Sequence, residues 1–147
     1  MMLGRVGMLI GFVVGLQAAP VSAAEQSLAY ETYKTSVEPI FLKKRSGHAR
    51  CVVCHTESNN AFRLQKLMPG SASWTEEQSR RNFEMVSKLV FPSAPLSSRL
   101  LLVPLAPEAG GAAYHSGGRQ FSSKDDPDWK ILAQWATGQN EAVSPTK

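Results

Sequence analysis

The chain has 147 residues, 43% hydrophobic and 19% charged, with a formal charge of +4 and Cys 2. That length suits one compact domain, two cysteines cannot build a multi-bridge scaffold, and so low a charge content is not that of a disordered polyelectrolyte. No apolar run reaches the ~18 to 20 residues that span a bilayer.

At the N-terminus, Arg5 precedes an apolar run from Met8 to Leu16, followed by small and polar residues to Ala24. These are the three parts of a secretory signal peptide, with Val21 and Ala23 placed for cleavage before Ala24. The sequence therefore predicts a signal peptide over 1–23, export to the periplasm or beyond, and no transmembrane segment once the signal is removed. Arg5 is the one charged group lost with it, so the mature chain carries 15 basic against 12 acidic groups. Apart from Lys43-Lys44-Arg45 that excess is dispersed and lacks interleaved aromatics, which argues against nucleic acid as a partner.

Tyr30, Tyr33, Val37, Ile40 and Phe41 recur at threes and fours, which predicts a helix over 30–42, bent or restarted at Pro39. Lys43-Lys44-Arg45-Ser46-Gly47 reads as a turn, its basic triplet a solvated helix end beside the negative pole of the helix dipole. The turn leads into Cys51-Val52-Val53-Cys54-His55. Cys-x-x-Cys-His is the spacing of covalent haem attachment. Each thiol adds across a haem vinyl, two intervening residues on a helical turn match the separation of the vinyls, and His55 then lies under the iron as its proximal ligand.

Other readings of the pair fit less well. A thioredoxin-like redox site belongs beside a βαβ pattern, which is missing; structural zinc needs a second ligand cluster; and a disulfide across two residues closes a strained small ring.

Ser73-Trp74-Thr75-Glu76 has the form of a capping box, opening a helix in which Phe83, Val86, Leu89 and Val90 share a face until Phe91-Pro92. Leu100-Leu101-Leu102-Val103 reads as one or two helical turns or an extended stretch. Asp126-Pro127-Asp128 supplies an N-cap, a first-position proline and a first-turn acid, which accounts for these acids better than a carboxylate pair or a calcium loop does. Trp129, Leu132, Ala133 and Trp135 then form an apolar stripe that Gly138 closes. With no alternating strand and no repeat, the predicted fold class is all-α: a haem domain over 24–138 in which the last helix packs on the first, followed by a frayed tail over 139–147.

The sixth iron position has four candidate side chains. His48 lies seven residues before His55, too near to cross to the other porphyrin face, and reads as a surface histidine. Met85 sits in the middle helix as packing. Met68, in Leu67-Met68-Pro69-Gly70, lies only thirteen residues beyond His55. His115 lies sixty residues beyond it in Gly110-Gly111-Ala112-Ala113-Tyr114-His115-Ser116-Gly117-Gly118, where two glycine pairs let the backbone approach a flat ligand. The ranking is His115 first, Met68 second and an open position third, with Tyr114 and Arg119 read either as partners of the haem carboxylates or, equally, as ordinary surface groups.

Ser36-Val37-Glu38-Pro39-Ile40 ahead of the attachment motif, together with Pro95-Leu96-Ser97-Ser98-Arg99-Leu100-Leu101, His115-Ser116-Gly117-Gly118 and Leu132-Ala133-Gln134-Trp135-Ala136-Thr137-Gly138, resembles bacterial cytochrome c domains of the planctomycete type. The resemblance implies a cytochrome c-like helical domain around one haem c, carrying electrons one at a time between redox partner proteins. In it, His115 stands where many relatives have a Met-Pro-Pro ligand loop. No acid, base and nucleophile come together in the sequence, so the expectation is a carrier without catalytic residues, bound to iron through His55 and His115. The rival is a haem-based module that binds or senses a small ligand at an open or displaceable sixth site. A peroxidase-like activity ranks last, for want of a distal acid-base pair.

Overall fold

The computed structural model describes residues 28–139; the expected signal peptide over 1–23 and the expected tail after Gln139 lie outside the described residues. Among the described residues six α-helices carry the fold: α1 Tyr30–Thr32, α2 Glu38–Leu42, α3 Cys51–His55, α4 Glu76–Ser87, α5 Arg99–Leu102 and α6 Pro127–Ala136. Among the described residues the β pairing is a single isolated parallel bridge, Leu105 to Phe121, so the fold class is all-α.

The first helix is continuous but not uniform. Between α1 and α2 the backbone widens into a π segment, Tyr33–Val37, in which the Glu38 N–H reaches back five residues to the Tyr33 carbonyl. This corrects the expected break at Pro39. Proline has no N–H for the carbonyl four residues back and its ring collides with it; a wider turn placed just before it makes the room without ending the helix.

α4 begins two residues later than the capping box suggested. Thr75, not Ser73, is the N-cap: its side chain accepts from the Gln78 N–H while Gln78 answers to the Thr75 N–H. Trp74 is drawn away from the helix into the core, with its indole N–H on the Gln65 carbonyl at 2.7 Å. The helix stops at Ser87, ahead of Leu89 and Val90, which are buried in i→i+3 turns that follow it. α6 starts as its sequence predicts, with Asp126 accepting from the N–H groups of Asp128 and Trp129.

α6 packs across the π segment. Trp135 is fully buried, its ring 5.6 Å from Tyr33 and 6.2 Å from Phe83, and its indole N–H donates to the Ala29 carbonyl at 3.0 Å. Trp129 likewise donates to the Leu101 carbonyl, fastening α6 to α5. Both tryptophans are core, as their helical spacing predicts. Truncating one to alanine would cost about 3–5 kcal/mol. No helix among the described residues is long and apolar enough to cross a membrane.

Candidate functional site

α3 and the long loop before α6 face each other across an apolar cleft of about 1050 Å3, its open mouth included. Ile40, Phe41, Leu89, Leu100 and Leu132 form the floor, and Cys51, Cys54, His55 and Phe62 one wall; the other wall holds His115, Gly117, Gln120 and Phe121. Both cysteines are free thiols, Cys51 half-buried and Cys54 exposed. Burial pushes the Cys51 thiol up to about 11, so it stands protonated at neutral pH.

His55 closes α3 with its ring inside the cleft. Its Nδ1 hydrogen-bonds the Phe62 carbonyl at 2.7 Å, and the Phe62 ring lies 4.2 Å from it. Leu64, whose N–H donates to the His55 carbonyl, holds the returning chain in place. Burial lowers the proton affinity of His55; the Phe62 carbonyl opposes that and His115 adds to it. A neutral imidazole whose Nδ1 proton sits on a carbonyl presents Nε2 as a lone pair, the form that binds a metal.

His115 is set by its own turn. The Gly118 N–H bonds the His115 carbonyl at 3.0 Å, and His115 Nδ1 bonds the Gly118 carbonyl at 2.7 Å. Gly118 has φ +82°, open to glycine at little cost. A Cβ on Gly117 would sit 3.3 Å from His115 Cε1, so a side chain there would press on that face of the ring. The loop is secured at its base, where Ala112 N–H meets the Leu102 carbonyl and Phe121 exchanges hydrogen bonds with Pro104 and Ala106.

The two imidazoles thus come from elements sixty residues apart and end 6.2 Å apart, centre to centre, with planes 20° from parallel. Each has its Nδ1 engaged by a carbonyl at 2.7 Å.

The sequence-predicted residues divide. Cys51, Cys54, His55 and His115 all line the cleft. Met68 is 57% exposed and does not line it, and Met85 stands on α4 with its sulfur toward Lys88. Tyr114 is 79% exposed, and Arg119 donates to the Ala113 carbonyl; neither lines the cleft. Arg50 and Arg99 do, with Ser58, whose buried Oγ has no partner among the described residues.

His48 is half-buried, its ring against Gly118 and its Nδ1 on the Ser46 carbonyl. The basic triplet is not merely a solvated helix end. Arg45 reaches Asp126, Asp128 and the Gln120 carbonyl and lies 4.6 Å over the Phe121 ring, while Lys43 pairs with Asp128. Sequence spacing could not reveal this, because the same acids already had an explanation as caps.

Among the described residues no three His, Cys, Asp or Glu side chains are grouped to hold a metal ion by themselves. No family model, no curated protein and no solved structure matches the chain.

Proposed function

We propose that this chain is an exported c-type cytochrome that holds one haem c and carries one electron at a time between redox partner proteins. The observation that carries the reading is the His55–His115 pair. An imidazole nitrogen sits about 2.0 Å from a first-row metal and about 1.1 Å from its own ring centre, so two imidazoles in line through one metal have centres about 6.2 Å apart. The two ring centres lie 6.2 Å apart, with the planes nearly parallel. Two free cysteines on the same wall and an orphaned Ser58 hydroxyl in the cleft agree with a large, partly polar group seated there.

In this reading Cys51 and Cys54 would hold the haem through thioether bonds, each thiol adding across one vinyl group. His55 and His115 would bind its iron. The Phe62 and Gly118 carbonyls keep each Nδ1 protonated and each ring oriented, which commits Nε2 to the metal. Ile40, Phe41, Leu100 and Leu132 keep water from the buried edge. Bound there, haem supplies a reversible one-electron couple, and two imidazoles set a lower reduction potential than an imidazole and a thioether would. A cytochrome c-like arrangement, with first and last helices crossed behind the cleft, is part of the same proposal.

A ligand-binding module is the second reading. What favours it is that His115 rides on a four-residue turn, with no helix beneath it. Carbon monoxide added to the reduced protein separates the two. The carrier is expected to leave its spectrum unchanged; rapid binding with a large spectral change would establish a displaceable sixth site. His115→Ala should convert the iron to a high-spin, carbon-monoxide-binding form, and a low-spin spectrum in that variant would remove His115 from the account.

A further inference from the structure

Between the π segment and α4 lies a buried polar group that the cleft does not use. Glu38 is 6% exposed, and Tyr33, Ser79 and Asn82 are fully buried. The i→i+5 register of the π segment stacks Glu38 one turn above Tyr33, while Ser79 and Asn82 stand one turn apart on α4. Ser79 Oγ donates to Glu38 Oε1 at 2.9 Å, and Asn82 Oδ1 accepts the Gln65 N–H at 2.7 Å.

Three atoms are left over. Glu38 Oε2, Tyr33 Oη and Asn82 Nδ2 are buried with no hydrogen-bond partner among the described residues. Such atoms are costly unless something meets them. An acceptor, a donor and a hydroxyl that serves as either make the set that one internal water satisfies with about three hydrogen bonds.

We propose that Glu38 is a proton-binding site coupled to the iron, linked through one internal water to Tyr33 and Asn82, so that the chain takes up a proton when it takes up an electron. The inference rests on the one-electron reading above. Its balance is simple: one electron arrives from the donor protein, one proton arrives from solvent, the Glu38 carboxylate becomes a carboxylic acid, and oxidation reverses both. The link is short, since α2 begins at Glu38 and carries Ile40 and Phe41 into the cleft floor. Losing a positive charge in the cleft strengthens proton binding at a nearby buried carboxylate.

The surroundings favour a carboxyl that titrates above its usual range. Burial raises its proton affinity, the Ser79 hydroxyl and Lys34 oppose that, and Glu76 adds to it. Lys34, on the same helix, and Glu76, on α4, are the charged groups facing it, and they are paired with each other. From α6 the π segment meets Trp135, which carries no charge.

The test records the reduction potential of the haem-loaded protein over about pH 4 to 8, with reduced-minus-oxidised infrared difference spectra, for the wild type, Glu38→Gln and Ser79→Ala. The wild type should show a potential that falls as pH rises and a protonated-carboxyl band that appears on reduction. The proton affinity of Glu38 should differ roughly ten- to twentyfold between redox states, as for unit charges about 10 to 12 Å apart at an effective dielectric constant near 20. Glu38→Gln should lose slope and band while keeping its absorption spectrum. Ser79→Ala, which keeps the carboxyl and removes an opposing hydrogen bond, should carry the slope to higher pH.

Thermal unfolding gives a second readout of the same site. A raised carboxyl contributes stability below its unfolded pKa that is lost as pH rises through the folded one, so Glu38→Gln should be the more stable chain at neutral pH. A slope and band that persist in Glu38→Gln, or a wild type with a flat potential and no band, would overturn the proposal and leave the carrier reading standing. A wild type without attached haem would overturn both.

Discussion

The two walls of the cleft hold their histidines by different means. His55 ends a helix, and its carbonyl partner is Phe62, whose ring packs on Phe41 at 5.1 Å in the core. His115 sits in a glycine turn whose base is tied down through distant residues: Arg45 joins the segment after the first helix to the Gln120 carbonyl and to the acids that open α6. One histidine is built locally and the other is placed by tertiary contacts. Disturbances far from the cleft should therefore reach His115 well before they reach His55.

The sharpest way to break that asymmetry is Arg45→Ala. It leaves Asp126 and Asp128, with side chains only 19% and 10% exposed, without their guanidinium. The expected loss is about 2–4 kcal/mol of unfolding free energy, somewhat below that of a fully buried pair. Burial alone would raise the Asp126 carboxyl, yet the Arg45 hydrogen bond and the helix N–H groups hold it below its usual range. A depressed carboxylate contributes stability above its unfolded pKa that is lost as pH falls through the folded one. Acid titration of the melting temperature should therefore show a drop below about pH 4 in the wild type, flattened in Arg45→Ala. The same variant should weaken the low-spin signal of the His115 ligand; full retention of both stability and spin state would mean that the tie is not needed.

Gly117→Val is the next test. A Cβ there meets the His115 ring at 3.3 Å, and the branches of valine add further crowding. The expected result is a partly high-spin spectrum with little change in melting temperature, measured by absorption and thermal unfolding on one sample. An unchanged spectrum would show that the turn yields more easily than its geometry suggests. The smallest effect belongs to Met68→Leu, an exposed position off the cleft, where the absorption spectrum should not move.

How far the sequence could be read follows the same division. That Cys51, Cys54 and His55 stand together on one wall is legible because a single helical turn carries all three. α6 is legible because Asp126, Pro127 and Asp128 are local signals, satisfied within four residues of one another. The start of α4 is less so: two overlapping capping patterns compete, and the burial of Trp74, a tertiary event, decides for Thr75.

The π turn before Pro39 and the polar group around Glu38 were hidden, since helical periodicity assumes an even 3.6-residue turn and places position 38 off the apolar face. The glycine pairs around His115 suggested a close approach to something flat. They could not say that Arg45 anchors the loop, because that contact joins residues more than seventy apart. Tyr114 and Arg119, picked for closeness in sequence to His115, do not line the cleft, whereas Arg50 and Arg99 do.

The claim on which this depends is that Cys51 and Cys54 carry a porphyrin by covalent bonds. The intact mass of the mature chain under denaturing conditions tests it most directly, with the protein produced in a host that matures c-type cytochromes. The account predicts a polypeptide heavier by one haem, and by nothing once both cysteines are changed to serine. A wild-type chain that weighs only its amino acids would contradict it.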